Sequence, residues 1–486
     1  MNESLKIKTV KGTIWSSLEK FSVQGVQFIV MIFMARILTP EDYGLIGMLS
    51  IFIAVSQALV DSGFSNALIR KSNRTETDNS TVFYFNIVVG LLLYGILFFS
   101  APLISKFYNQ PLLTPLTRLI AISIPLNSLI IVQRALLSVN VDFKSQAKAS
   151  LIAALSSGVV GLSMAYSDWG VWSLVWYQLT NVIVNVSVLW FLTKWNPHFT
   201  YSWISFREMF GFGSKIAFTS ILYTIYNNIY LLVIGKLFNA SDLGYFTRAN
   251  QFAQFPSTNL AGVIQRVSYP VLCSIQDDNE RLRVVYRKYL RLICFIVFPM
   301  MIGLAVLARP FILFILNDTW LFAATLLSVL CLALMWSPVH SINLSLLLVK
   351  GRSDLYMRLE FIKEAIGILI LIATAPFGII MMCWGLVGFN IIALLINTHY
   401  TGKIINVGFY TQIKDLLPSL IFSTLMGICV FLISFKIPHN FFKLLIGILA
   451  GTIIYLVISK LFNSKDLKEI YSFVPNNLRQ KVNSIF

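Results

Sequence analysis

The sequence predicts an all-α integral membrane fold of about 14 transmembrane helices, two pseudo-symmetric six-helix bundles plus a C-terminal helix pair. Three observations predict it. Of 486 residues, 57% are hydrophobic and only 12% charged, too little charge to cover the surface of a soluble chain. Apolar runs of the roughly 20 residues needed to cross hydrocarbon recur from end to end. One short polar phrase is also written twice, as RILTPEDYGLI at 36–46 and KLFNASDLGYF at 236–246.

In chain order, the first run covers 12–38. It follows a polar, basic N-terminus, MNESLKIKTVKG, with no cleavage-site pattern, so it reads as a retained span and not a signal peptide. Runs at 43–68, 81–105, 113–138, 147–167 and 170–193 complete a six-helix bundle over 1–200. A basic loop near 194–209 leads into 210–238, 243–268, 288–316, 320–349, 357–377 and 378–400, a second bundle over 201–405. The last two of these are divided only by APFG at 375–378. Helices 13 and 14, at 415–435 and 440–463, form a pair within 406–463. The tail, 464–486, places Leu467, Ile470, Tyr471 and Val474 as the apolar side of a short amphipathic helix on the cytoplasmic surface.

The repeated phrase has a local explanation. A basic residue closes one helix and another begins almost at once. Thr39 suits the N-cap, Pro40 the first helical position and Asp42 the acidic position of a capping box. Asn239 and Asp242 stand at the same offsets in the second copy, and Gly44 and Gly244 follow, small enough for close helix approach. The echo extends to Pro125 and Pro338, both mid-span, and to VDFKS at 141–145 against SDLYM at 353–357. Six is even, so both halves enter the membrane from one side, a parallel repeat about the membrane normal. The phrase then marks homologous gates or hinges and is not itself a binding motif.

The net charge of +17 does not point to nucleic acid. Most Lys and Arg fall on flanks that share the side of the N-terminus, with DDNERLRVVYRKYLR at 277–291 the richest, whereas the turns near 166–170 and 375–378 hold none. This positive-inside bias places both termini in the cytoplasm, and anionic membrane lipids are the partners of that charge. Cys273, Cys294, Cys331, Cys383 and Cys429 are scattered through apolar runs, and the four histidines are isolated. No metal site or cofactor is expected, and no phosphate-binding glycine loop supplies an ATP motor.

With the ILTPEDYG turn, DSGFSNALIRK closing the second helix and SYPVL closing the eighth, the chain resembles the Wzx-type polysaccharide flippases of the multidrug/oligosaccharidyl-lipid/polysaccharide exporter superfamily. The resemblance covers essentially the whole chain. It implies translocation of undecaprenyl-diphosphate-linked oligosaccharide from the cytoplasmic to the outer leaflet of a bacterial inner membrane. It also implies a central cavity formed mainly by helices 1, 2, 7 and 8, with glycan polymerases or other assembly proteins as partners of a monomer.

An anionic, sugar-bearing head needs a wet and preferably cationic path, and charge inside a span is costly enough to mark it. Lys20 shares a face with Ser16, Gln24 and Gln27, roughly 10 Å from the cytoplasmic end at 1.5 Å per residue. Arg248 lies at similar depth from the other side, followed by Gln251, Phe255 and Asn259, and its guanidinium can grip phosphate through two bonds. For both cations the competing reading is snorkelling to headgroups. The resemblance implies a cationic, cavity-facing residue at the position of Arg248. Ser220, Thr224, Asn227 and Asn228 share one face of helix 7, either to bond sugars or to join helices. Arg266 and Asp61, near cytoplasmic ends, are head-group and ion-coupling candidates, though topology or a gate is the favoured reading of both. Glu19 is a second ion-coupling candidate, with an interhelical ion pair as its alternative. Glu360, Lys363 and Glu364 are expected to pair locally across a turn.

The alternative function is a proton- or sodium-coupled multidrug or organic-cation exporter, which would want acidic groups deep in the first half, where Lys20 and Arg248 would repel its substrate. An enzyme would need a substantial external segment, and the longest here are short stretches such as KFYNQPLL (106–113) and FKIPHN (435–440).

Overall fold

The computed structural model describes residues 22–61, 63–71, 73–462, 466–467 and 469, with backbone alone at 212, 263, 264 and 267. All regular structure among them is helical. Lys20, Glu19 and Ser16 lie outside the described residues, as does most of the tail expected to form an amphipathic helix.

Among the described residues, eleven helical runs are long and apolar enough to cross a bilayer: Pro40–Arg70, Glu76–Tyr108, Leu113–Val139, Phe143–Tyr166, Val171–Thr193, Gly213–Leu237, Asn279–Val306, Asp318–Val349, Ile379–Ile405, Phe409–Phe435 and Asn440–Leu461. The other three expected spans are helical over their described residues, but stand apart from these eleven. Helix α1 (Ser22–Ile37) is shorter over its described part. Helix α11 (Ala240–Ser274) carries Arg248, Gln251, Gln254, Gln265 and Arg266, and α16 (Ser353–Thr374) carries Asp354, Glu360, Lys363 and Glu364. Both are long helices made too polar for an unshielded lipid contact.

The chain divides into two compact units, Met1–Gly244 and Tyr245–Phe486. The first contains α1, α2 (Pro40–Asp61), α3 (Phe64–Arg70), α4 (Glu76–Tyr108), the broken run α5 (Leu113–Ile120), α6 (Ser123–Ser128) and α7 (Ile131–Val139), then α8 (Phe143–Tyr166), α9 (Val171–Thr193) and α10 (Trp203–Leu237). Its core gathers Phe64, Leu68, Val82, Phe83, Val132 and Met209, with Trp190, Trp195 and Phe206 around them. Helix α10 begins at Trp203, inside the expected 194–209 loop, and packs on α2, α3 and α4, which carries this unit past the loop.

That loop is tied down at the start of α4. Thr75 and Asp78 form a capping box. Trp195 Nε1 donates to Glu76 Oε2 at 2.7 Å, and the amides of His198 and Ser202 donate to the hydroxyls of Ser80 and Thr81, both at 3.0 Å. Lys71 Nζ reaches Asp78 Oδ1 at 3.1 Å and Glu208 Oε2 at 3.0 Å, joining α4 to α10. Burial works against the Lys71 ammonium, but its bonds to Glu208 and Asp78 prevail and hold its pKa above the ordinary lysine value.

The second unit holds the remainder of α11, then α12 (Asn279–Val306), α13 (Ala308–Ile315), α14 (Leu321–Leu334), α15 (Ser337–Val349), α16, α17 (Ile379–Ile405), α18 (Phe409–Phe435) and α19 (Asn440–Leu461). Its core is built on α12, which packs on α14, α15, α17, α18 and α19. Near one end of α12 a buried polar hub binds four helices: Tyr286 Oη donates to Asn343 Oδ1 at 2.8 Å, Asn343 Nδ2 to Gln412 Oε1 at 3.1 Å, and Gln412 Nε2 to Thr401 Oγ1 at 2.9 Å. Arg287 forks onto both oxygens of Asp415 at 2.6 and 2.7 Å. Arg291 meets Asp466 at 3.0 Å, so the described tail residues dock on α12. Phe99, Phe191 and Phe435 are each at least 80% exposed, an apolar outer surface that a bilayer covers and water would not.

Candidate functional site

The two copies of the repeated phrase meet within the N-terminal unit. In the first, the Thr39 amide and hydroxyl both donate to Asp42 Oδ2, at 2.9 and 2.8 Å, and the Asp42 amide donates back to Thr39 Oγ1 at 3.3 Å. In the second, the Asp242 amide donates to Asn239 Oδ1 at 2.8 Å. Each cap starts a helix, α2 or α11, whose first turns lie against each other reciprocally. A Cβ on Gly44 would stand 1.7 Å from the Ala240 carbonyl oxygen, and one on Gly244 would stand 1.8 Å from the Pro40 carbonyl oxygen. No side chain fits there, so the two backbones touch, close enough for Cα–H···O contacts. Lys236 braces the same end, donating to the Phe107 carbonyl with its ammonium 4.5 Å over the Phe107 ring.

From those turns the polar faces run into the spans. On α1, Gln27 is exposed, and Gln24 Oε1 is shielded with no hydrogen-bond partner among the described residues. Few residues of α10 are fully buried, 6% of its most apolar stretch against 56% for Asp318–Val349. Along it Lys215, Thr219, Tyr223 and Asn227 recur every four residues, all exposed. Asn227 and Asn228 donate to the carbonyls of Tyr223 and Thr224, both at 2.8 Å. Their amide hydrogens steady their own helix, and the side-chain oxygens are not used in those bonds. Asp61, at the end of α2, is exposed and lies within electrostatic reach of Arg134 of α7. Arg134 also donates to Asn185 Oδ1 at 3.2 Å.

In the C-terminal unit, α11 is clamped along one side. Phe252 meets Phe311 edge-on, Ser257 Oγ donates to the Leu334 carbonyl at 2.7 Å and Gln265 Nε2 to Ser345 Oγ at 3.0 Å. The rest of its circumference exposes Gln251, Gln254, Phe255, Thr258 and Arg266, with Arg248 and Asn259 half-buried. The run Arg248, Gln251, Phe255 and Asn259 therefore does share a side. Asn259 Nδ2 donates back to the Phe255 carbonyl at 2.9 Å. Such a face suits water and sugar hydroxyls, not lipid. Elsewhere in this unit an apolar cavity of about 520 Å³ lies among Phe295, Pro299, Met300, Phe311, Met426 and Leu444.

Sequence reasoning missed Lys215 and Arg134, both inside apolar runs. The signal was available: each is an isolated cation within a membrane span, the same cost argument that singled out Lys20 and Arg248.

The molecule so described can be set beside known proteins. A family model described as polysaccharide biosynthesis protein matches residues 33–325. The teichuronic acid biosynthesis protein TuaB of Bacillus subtilis (strain 168) is 24% identical over 464 residues, 93% of this chain and 95% of that one. The lipopolysaccharide biosynthesis protein WzxC of Escherichia coli (strain K12) is 26% identical over 369 residues, 74% of this chain and 74% of the relative. Among solved structures, lipid II flippase MurJ in an inward closed conformation superposes over 92% of this chain and 98% of its own, with a TM-score of 0.75 at 18% identity. The fold is thus the all-α membrane fold of that transporter.

Proposed function

The chain belongs to the polysaccharide biosynthesis protein family, and we propose that it is a flippase carrying lipid-linked anionic oligosaccharide from the cytoplasmic to the periplasmic leaflet of a bacterial inner membrane, for surface polysaccharide such as O-antigen, capsule or exopolysaccharide. The observation that carries this reading is the exposed polar side of α11, in a chain that also exposes large apolar side chains such as Phe99, Phe191 and Phe435. A polar group moved into hydrocarbon without partners costs several kcal/mol, and a glycan has many. A face of Gln251, Gln254, Thr258 and Asn259 exchanges water bonds for side-chain bonds one at a time, while the polyprenyl tail stays in lipid or in the apolar cavity beside α12.

Arg248 and Arg266, with Lys20 of the first expected span and Lys215 of α10, answer the diphosphate. Gln24, Gln27, Asn227 and Asn228 answer sugars. Alternating access moves the head: the two bundles, 1–200 and 201–405, open to one side and then the other, with the Gly44–Gly244 crossing as the periplasmic closure. Both termini lie in the cytoplasm, the working form is a monomer, and the protein makes and breaks no covalent bond. An exporter of organic cations fits less well. Asp61 lies within electrostatic reach of Arg134, and Asp242 sits in a helix-capping turn.

The test is leaflet translocation of a lipid-diphosphate oligosaccharide in proteoliposomes, with Lys20→Ala and Arg248→Ala at matched folding. Wild type moves the lipid and both variants lose at least tenfold in rate, about 1.4 kcal/mol each. Normal flipping by both variants would show those charges to be snorkelling. Proton-driven exchange of organic cations in place of glycan lipid would install the exporter reading.

A further inference from the structure

We propose that the N-terminal unit holds a binding site for the phosphate of an anionic phospholipid, built by Tyr94 of α4, Thr114 and Arg118 of α5, and Trp172 of α9. The site does not rest on the flippase reading. Its leaflet follows from the charge bias, which assigns these helix ends to the periplasmic side.

A missing backbone donor places the arginine. Pro102 lies inside α4 and supplies no amide hydrogen, so the Phe98 carbonyl, four residues earlier, has no helical donor. Arg118 Nε donates to that oxygen at 3.4 Å, and the guanidinium lies 4.5 Å from the centre of the Phe98 ring. An arginine has five N–H bonds to give, and this contact uses one. Arg118 makes no ion pair and no other side-chain hydrogen bond among the described residues. A side chain that only repaired the break at Pro102 would need no more than that one bond.

Around it lies a cavity of about 440 Å³, whose lining includes all four proposed residues and Pro115 and Leu119. Each of the three helices brings a donor. The Tyr94 and Thr114 hydroxyls and the Trp172 indole N–H are half-buried, and none bonds to another described residue. No carboxylate is among the described residues of the lining, so the cavity keeps the full charge of Arg118.

Depth identifies the anion. Thr114 and Trp172 are each the second residue of their helix, the level at which aromatic and polar side chains meet headgroups. With 33 residues, α4 is about 50 Å long, some 20 Å longer than a hydrocarbon core of about 30 Å. Centred on that core, its ends rise roughly 10 Å clear, and the Phe98 carbonyl, ten residues before Tyr108, lies roughly 5 Å inside. The anions within reach of a guanidinium there are lipid phosphates. Two of its N–H bonds can grip one phosphate in parallel, and the hydroxyls and indole add donors from α4, α5 and α9. Ile96, Phe99 and Leu103 of α4 are exposed and give the acyl chains an apolar wall. A zwitterionic headgroup brings its own ammonium to an already cationic cavity, whereas an anionic one neutralises it.

A reporter beside the site tests this. In the full chain without its five native cysteines, Phe99→Cys carries a fluorophore next to Phe98 and outside the cavity lining. The protein sits in phosphatidylcholine nanodiscs containing a small share of lipid spin-labelled on its acyl chain. Labelled phosphatidylglycerol quenches the fluorophore at roughly tenfold lower content than labelled phosphatidylcholine, the factor that charge-assisted hydrogen bonds supply. Arg118→Gln brings the two lipids to parity. Thr114→Val combined with Trp172→Phe leaves the Arg118 bond to Phe98 in place and still weakens the preference. Equal quenching by both lipids in wild type, or a preference unchanged by Arg118→Gln, overturns the site. If Arg118→Gln does not fold, the Thr114 and Trp172 variant decides alone, and an unchanged preference overturns the site. Inorganic phosphate at matched ionic strength leaves the preference as it is; if it abolishes it, the ligand is free phosphate and the lipid assignment is overturned. None of these readings requires a flipped glycan lipid, so failure of the flippase reading leaves the test intact.

Discussion

Val141 and Gly351 occupy the same kind of place, just after the helix that ends each mid-span proline segment, and both have positive φ, 57° and 68°. For glycine this is free, but for a β-branched residue the left-handed region costs about 1–2 kcal/mol. Open space surrounds Gly351, with nothing within 4 Å of where a Cβ would stand, so Gly351→Val isolates the backbone cost. It lowers stability by about 1–2 kcal/mol, read as thermal unfolding in detergent. Val141→Gly gives back less, because glycine in the unfolded chain costs roughly 0.5–1 kcal/mol of order on folding. At this scale the sequence was partly legible. The caps at Thr39 and Asn239 and the side of α11 bearing Arg248 follow from residue type and spacing alone. The bond of Arg134 to Asn185 and the hub of Tyr286, Asn343 and Gln412 do not, because they join residues distant in sequence whose meeting depends on how helices pack.

Helix existence was legible because hydrophobic runs of span length have few other uses; the breaks were not. The expected span 113–138 is three helices and 320–349 is two, interrupted just ahead of Pro125 and Pro338. Proline disfavours helical backbone in the residue before it and supplies no amide, so each becomes an early residue of a new segment, not a kink within an old one. The expected span 288–316 likewise divides at Leu307, three residues ahead of Pro310. The crossing of α2 and α11 makes the sharpest claim at this scale. Gly44→Val puts a branched side chain where a Cβ already lies 1.7 Å from a carbonyl oxygen, and Gly244→Val does the same from the other helix. Relieving it must separate the two backbones, at the 1–3 kcal/mol typical of overpacking. Each single substitution therefore slows translocation roughly 5- to 150-fold by weakening the closed turn, and exposes a cysteine placed at Leu243, buried in wild type, to thiol reagents. Once one glycine is replaced the helices are already apart, so the double variant costs little more than either single one. Additive effects, or an unreactive Leu243→Cys, would mean that this contact is not the closure.

The direction of the proposed flip depends on which side of the membrane each turn occupies, and charge decides it. Each span returns the chain to the other side, so alternate turns share a face. One set includes the stretches around Arg70, Lys71 and Arg74, around Lys144 and Lys148, and around Arg281, Arg283, Arg287 and Lys288; the other includes 166–170 and 375–378, without a basic residue. A Lys or Arg near an anionic leaflet is worth about 1 kcal/mol, so inverting the whole chain would move many such contacts to the wrong side. Several of these cations are also committed in the fold, Lys71 to Asp78 and Glu208, Arg287 to Asp415. In a variant lacking the five native cysteines, Ser167→Cys and Phe377→Cys, both at exposed positions, react with a membrane-impermeant maleimide in intact cells, while Asp277→Cys, also exposed, reacts only after permeabilisation. The opposite pattern would place the Gly44–Gly244 crossing on the cytoplasmic side. It would then close the entrance for a lipid-linked glycan assembled there, and the proposed direction of transport would be untenable even if every polar face were correctly assigned.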